Sequence, residues 1–133
     1  MQRVMRGLLV VALLGVVDLR AQSLTTGDPS ITLLTPDPQL GTAVVFAVSA
    51  PRRYQPHLRI QVVCSYLSDG TIGYAEAAAW DHAFLLGGGS SPWLNDRPTE
   101  SVHCVATEYV WGVSQGSQAF VFLAETQFDA AGL

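Results

Sequence analysis

Hydrophobic and polar residues alternate along several short stretches of the chain, which is the pattern of half-buried β-strands. The clearest stretch is 57–67, where apolar side chains stand at every second position from Leu58 to Tyr66 and polar ones, including Arg59 and Gln61, stand between them. A period of two predicts a strand with one face on a hydrophobic core and the other face in water.

Other candidate strands are marked by β-branched and aromatic residues bounded by turn residues. Pro36 and Pro38 end the first, Ser68-Asp69-Gly70 is a tight hairpin signal, and three glycines at 87–89 open the longest loop. Residues 78–82 leave a short helical turn as an alternative. The predicted strands cover residues 30–35, 42–50, 57–67, 71–77, 82–86, 101–111 and 118–126.

The N-terminal residues have the order of a secretory signal peptide. Two arginines lie within the first six residues, an uninterrupted apolar run of 11 follows at 7–17, and the small residue Ala21 comes shortly after it. We therefore predict a signal peptide over residues 1–21 and a secreted domain over 22–133, which is about the size of a single domain. An N-terminal helix of the fold is the alternative. The apolar run is too short to span a bilayer, so no membrane span is expected.

The charge of the chain narrows the choice of partner. There are seven arginines, no lysine and eleven acidic residues. Removal of residues 1–21 takes away three arginines and Asp18, which leaves four basic and ten acidic residues and a formal charge of −6. Nucleic acids and anionic membranes are normally bound by clustered basic residues, so the sequence argues against nucleic acid as a partner.

Cys64 and Cys104 are the two cysteines of the chain. In an exported protein the oxidising compartment lets a disulfide form and persist, so we predict a bridge between them. Two buried free thiols are the alternative, and they would require a reducing compartment.

Seven short strands in one small domain resemble the immunoglobulin-like and fibronectin type III-like sandwiches. The resemblance implies an all-β fold, a single antiparallel two-sheet sandwich of about seven strands. It also implies that Cys64 on the third strand and Cys104 on the sixth are neighbours in one sheet, joined by a cross-strand bridge. The antibody pattern differs, because it places its cysteines on the second and sixth strands and a tyrosine where Val102 stands here. The resemblance concerns fold alone, since this architecture hosts many functions.

No set of residues predicts catalysis, a metal site or a cofactor. Residues 112–116, Gly-Val-Ser-Gln-Gly, match the nucleophile-elbow pattern, but His57, His82 and His103 all precede the serine, and a hairpin turn explains the same residues. The histidines lie 25 and 21 residues apart, without the spacing of a zinc site. Asp81 is the acid next to His82, and neighbours on a strand point to opposite faces. We therefore expect a noncatalytic protein.

Two predicted loops, 51–56 and 87–100, carry residues suited to recognition, because rigid rings supply contact area at low entropic cost. Trp80 is instead expected to pack in the core, and for Trp111, at the end of the sixth predicted strand, core packing and a partner contact are both open. The candidates for partner contacts are Arg52, Arg53, Tyr54 and Trp93.

Two functions are compatible with these features. The first is a secreted, noncatalytic binding or adhesion module, whose two loops lie at one end of the sandwich and contact a protein or a glycan. The alternative is a self-associating extracellular structural subunit of a fibre or surface layer, in which residues 22–35 leave their own fold and add as a strand to a neighbour.

Overall fold

The structure is a computed structural model that describes residues 22–88, 97–114 and 117–133. The predicted signal peptide, 1–21, and the candidate Trp93 lie outside these residues. The described part is built of strands and one short 3-10 helix, Arg52–His57, so the predicted all-β class is confirmed. The strands are β1 Ser23–Thr26, β2 Ser30–Leu33, β3 Ala43–Val44, β4 Phe46–Ala50, β5 Leu58–Tyr66, β6 Ile72–Ala79, β7 Phe84–Leu85, β8 Val102–Ser114 and β9 Ser117–Ala130.

The predicted strand at 42–50 is divided in two. Val45 interrupts it by bonding elsewhere: its N–H donates to Thr35 Oγ1 at 3.0 Å and its carbonyl accepts from Leu34 N at 2.9 Å. As a result β3 and β4 enter different sheets. β1 was not predicted, because its polar residues show no alternation that marks a strand.

Residues 78–82 contain no helix. β6 continues to Ala79, and a turn follows in which the His82 N–H donates to the Ala79 carbonyl at 3.0 Å. The chain therefore reverses directly after the strand, and Trp80 lies at the reversal.

The described strands form three hydrogen-bonded sheets. The largest has the order β6-β5-β8-β9 and is antiparallel throughout. A second has the order β1-β4-β2, and here β1 runs parallel to β4, which differs from the purely antiparallel pairing expected. The third is the short pair β3-β7. β2 packs across β8 and β9, so the second sheet covers one face of the largest.

The core lies between these sheets and is filled by alternate residues of their strands. On β5 every second side chain from Leu58 to Tyr66 is buried, as the sequence pattern predicted. The ring of Phe46 on β4 is 6.1 Å from those of both Phe84 and Phe128, and it joins the three sheets through their side chains. The described residues include no helix with the length and hydropathy of a membrane span.

The two cysteines are joined across the largest sheet. Cys64 on β5 faces Cys104 on β8 in register, both side chains are buried, and their Cα atoms are 4.0 Å apart. This short spacing is typical of an antiparallel pair without direct backbone hydrogen bonds, where side chains approach most closely. The structure thus contains the predicted Cys64–Cys104 disulfide as a cross-strand bridge.

Candidate functional site

Four aromatic side chains form a patch on the outer face of the largest sheet, at the end of the β8-β9 hairpin. In the ladder Tyr109 faces Phe122 and Trp111 faces Phe120, so the four rings share one face. Trp111, Phe120 and Phe122 expose 47%, 50% and 55% of their surface. We call these four residues the aromatic patch.

A bulge in the ladder places the β9 rings on this face. Glu108 faces Ala124 whereas Tyr109 faces Phe122, so Leu123 is an extra residue on β9. Because successive side chains on a strand point to opposite faces, one extra residue reverses which positions face outward. Without it, Phe120 and Phe122 would point to the core side.

Tyr109 is the fixed member of the patch. Its ring stacks on Phe120 with centroids 4.8 Å apart, and its hydroxyl oxygen accepts a hydrogen bond from Arg59 Nε at 3.3 Å. These contacts leave it only 7% exposed. β5 pairs with β8 only as far as Leu58 opposite Val110, so Trp111 lies beyond the last β5 partner and keeps an open face.

The 3-10 helix contacts β8 at the same end of the molecule. Gln55 holds it in place by donating from Nε2 to the Ala50 carbonyl at 3.1 Å and to Thr26 Oγ1 at 3.0 Å. The guanidinium of Arg53 lies 4.5 Å above the ring of Tyr54. Tyr54 is half-buried and packs against the core, whereas Arg52 and Arg53 are exposed. The structure therefore places Arg52 and Arg53 in the helix that precedes Leu58, at the end of β5 beyond which β8 continues to Trp111, and uses much of Tyr54 for packing.

The second predicted loop lies elsewhere. Its described end is anchored by Arg97, whose Nη1 is 3.0 Å from Asp69 Oδ2 and whose guanidinium lies 4.4 Å above the Tyr66 ring. Tyr66 ends β5, whereas the 3-10 helix precedes the start of β5 at Leu58. The expectation that both loops share one end is not met at the described residues, because β5 separates them by its whole length.

The tryptophans differ from each other in burial. Trp80 is partly buried and packs against the core, as expected. Of the two interpretations of Trp111, core packing is not met, because 47% of its surface is exposed.

Two histidines pair with carboxylates that the sequence did not suggest. His82 Nε2 lies 3.0 Å from Glu76 Oε2, not beside Asp81, and Glu76 also accepts a hydrogen bond from the Tyr74 hydroxyl. Burial, together with this hydrogen bond, raises the pKa of Tyr74. Tyr74 and Glu76 share a strand face by their spacing of two, but their approach to His82 depends on the turn after β6.

On the outer face of the largest sheet His103 Nδ1 lies 2.8 Å from Asp129 Oδ1, and its Nε2 lies 3.1 Å from Gln127 Oε1. The hydrogen bond to Asp129 raises the pKa of His103. Among the described residues no group of three or more histidine, cysteine or carboxylate side chains is arranged to hold a metal ion. His57 lies in the 3-10 helix and is exposed, instead of lying in a strand.

Glu108 is a buried acid inside the core. It is fully buried, and neither carboxyl oxygen has a hydrogen-bond partner. Burial raises its pKa to about 7. The sequence carried a signal for this position, because Val102, Cys104 and Ala106 precede it at every second residue and predict that position 108 faces the core.

No protein-family model, curated protein or solved structure matches this chain. The aromatic patch and the neighbouring 3-10 helix are the features from which we infer function.

Proposed function

We propose that the protein is a secreted, noncatalytic binding module and that the aromatic patch is the surface that contacts its partner. The observation that carries this proposal is the exposure of three adjacent rings, Trp111, Phe120 and Phe122, on one face of a hairpin. Burying a large apolar side chain stabilises a protein by roughly 1.5–3 kcal/mol, so leaving three half-exposed forgoes several kcal/mol. Contiguous apolar surface of this kind is typical of an interaction site.

Secretion is supported by two features that agree. The disulfide joins buried strands in the middle of a sheet, and such bonds persist in oxidising compartments. Residues 1–21 have the charge and hydropathy order of a signal peptide. N-terminal sequencing of protein recovered from the medium should give a start at Gln22, and a start at Met1 would contradict this processing.

We also propose that the fold is a two-layer, immunoglobulin-like sandwich. The packing of β2 across β8 and β9 supports two layers, and the adjacency of β5 and β8 supports the resemblance to that fold. In such sandwiches a rigid scaffold carries variable contact surfaces, which suits a binding role.

The surroundings of the patch indicate the partner's chemistry. Flat rings accept the apolar face of a sugar as well as apolar protein side chains, and Arg52 and Arg53, in the helix that precedes β5, supply exposed hydrogen-bond donors. The formal charge of −6 expected after processing disfavours polyanions. A neutral glycan or a protein surface is therefore the partner we propose.

The test is binding of the labelled, purified protein to arrays of neutral glycans, anionic glycans and extracellular matrix proteins. We expect saturable binding to a neutral glycan or a protein, weakened about tenfold or more by Trp111→Ala, since loss of a central aromatic anchor commonly costs 1–2 kcal/mol or more. Ile72→Ala is the matched control, because Ile72 is 61% exposed but lies on β6, away from the patch. Absence of saturable binding, or equal binding by Trp111→Ala, would overturn the proposal.

The second candidate is a structural subunit that donates residues 22–35 to a neighbour. Its support is the shortness of β1 and β2, four residues each, with three of the four β1 side chains exposed. In the structure both strands pair with β4 of their own chain. Large assemblies that disappear when residues 22–29 are deleted would favour this candidate, and a constant small species would exclude it.

A further inference from the structure

Among the described strands, β9 lies at the edge of its sheet. Its inner side pairs with β8 along its length of 14 residues, and none of the described strands pairs with its outer side. The chain just after β9 does pair with another segment. Ala131 forms an isolated parallel β-bridge with Gln39, and its carbonyl accepts a hydrogen bond from the Leu40 N–H at 2.9 Å. An open edge of this kind is a template for another strand.

In the half of β9 that carries Phe120 and Phe122, backbone N–H and C=O groups point toward the unpaired outer side of the strand. Cys64 and Cys104 form a pair without direct backbone hydrogen bonds, so the N–H and C=O of Cys104 point toward β9. Along β9 these backbone groups point toward β8 at every second residue, and the bulge at Leu123 shifts this alternation by one residue. The N–H and C=O groups of Phe120 and Phe122 therefore point away from β8. An added strand would supply partners for these groups.

Residues 117–124 of this edge lack the charged residues and prolines that commonly prevent pairing, and the bulge at Leu123 lies beyond Phe122, toward Glu125. The chain also contains no lysine. Natural edges are usually protected by such residues or by short strands. The other edges of the described sheets fit that expectation better, because β1 and β2 have four residues each and β6 carries Glu76.

We propose that residues 118–124 of β9 pair with the same segment of a second copy, antiparallel about a twofold axis near Val121. Phe120 of each copy then faces Phe122 of the other, and side chains that are 50% and 55% exposed become partly buried. Cross-strand aromatic pairs of this type stabilise antiparallel sheets. The twofold closes the assembly as a dimer instead of a fibre.

The charges of β9 select this register. Glu125 and Asp129 are its acidic residues, and both lie outside 118–124. If the two copies paired instead through the half of β9 that contains Glu125 and Asp129, Glu125 would lie opposite Asp129 of the other chain. Like charges directly opposite each other destabilise a strand pair. Pairing through residues 118–124, which carry no charge, avoids that contact. A second copy of the chain is therefore the partner that fits this part of the edge.

A twofold axis perpendicular to the sheet keeps the same face outward in both copies. The two aromatic patches would then lie side by side on one continuous sheet of eight strands, four from each copy. The dimer goes beyond the proposed function and does not depend on it, because the backbone edge of β9 forms it. Phe120 and Phe122 take part in both proposals, whereas Trp111 on β8 belongs to the aromatic patch alone.

Sedimentation velocity of the purified, oxidised protein over a range of concentrations tests the dimer. We expect a reversible monomer-dimer equilibrium for the wild type. Phe122→Lys and Phe122→Glu should each weaken association about tenfold or more, because each places like charges near the twofold axis. An equal mixture of the two variants should restore the dimer, because opposite charges then meet across the axis.

Two controls separate the edge from other causes. Ile72→Lys adds the same charge on β6 and should leave the dimer intact. Trp111→Ala, expected to weaken partner binding, should also leave it intact, so failure of the dimer and failure of the binding proposal are distinguishable. A wild type that stays monomeric at every concentration, a mixture that associates no better than its components, or an Ile72→Lys variant that dissociates equally would overturn the proposal.

Discussion

Glu108 on β8 lies directly opposite Ile60 on β5, on the face of the sheet that forms the core. On its other side it faces Ala124 of β9, and both carboxyl oxygens lack hydrogen-bond partners. A carboxylate in such surroundings is strongly disfavoured, so the group retains its proton far above the ordinary range. A negative charge on Glu108 therefore destabilises the folded protein.

Stability is expected to fall as pH rises through the window set by Glu108. Burial raises its pKa from 4.5 to about 7. Between these values the folded protein binds a proton that the unfolded chain releases, so the contribution of Glu108 to stability is greatest below 4.5 and is smallest above 7. The difference is on the order of 3 kcal/mol, since one pKa unit is about 1.4 kcal/mol.

Urea unfolding at pH values from 4 to 8 measures this effect. Glu108→Gln should flatten the pH dependence, because the side chain no longer ionises. Glu125→Gln changes an exposed carboxylate on β9 and should leave the slope as it is in the wild type. A Glu108→Gln variant with an unchanged slope would show that another group is responsible.

His103 should titrate at a raised pKa because of Asp129. Their hydrogen bond favours the charged imidazole, so its stabilising effect is complete below 6.5 and is lost as pH rises through the raised value. The His103 side chain is 39% exposed, so solvent screening limits the effect to about 0.5 kcal/mol or less. In an NMR titration Asp129→Asn should lower the pKa of His103, while Asp28→Asn, at an exposed turn, should not.

Loss of the disulfide should cost about 4 kcal/mol by the chain-entropy relation for a separation of 40 residues. The double variant Cys64→Ala, Cys104→Ala removes the bridge without leaving a free thiol. Its urea midpoint should fall well below that of the oxidised wild type, and the wild type under reducing conditions should behave similarly. Detection of two free thiols in the native exported protein would contradict the bridge.

Gly70 should resist replacement because of its backbone conformation alone. Its φ is +75°, and no atom lies within 4 Å of the position that a Cβ would take. Gly70→Ala should therefore cost about 1 kcal/mol through backbone strain, not through collision. Gly112→Ala is the matched control, since a Cβ there meets Val110 at an ordinary 3.9 Å. Equal unfolding midpoints for the two variants would refute the strain argument.

Several features of the fold could be predicted from local sequence. The alternation from Leu58 to Tyr66 matches β5 to within a residue at each end, and the Ser68-Asp69-Gly70 turn separates β5 from β6 as expected. These features depend on backbone preferences and on a period of two, which neighbouring residues specify among themselves. The signal peptide and the function stay predictions.

The sequence by itself thus determined the β-class, most strand positions and the partners of the disulfide. Only the tertiary structure decided that His82 pairs with Glu76, that Glu108 is buried without a hydrogen-bond partner, and that a bulge turns Phe122 outward. The physical reason is that these outcomes depend on which strands are adjacent and in what register. Register is the joint result of many distant contacts, and a shift of one residue reverses the faces of a whole strand.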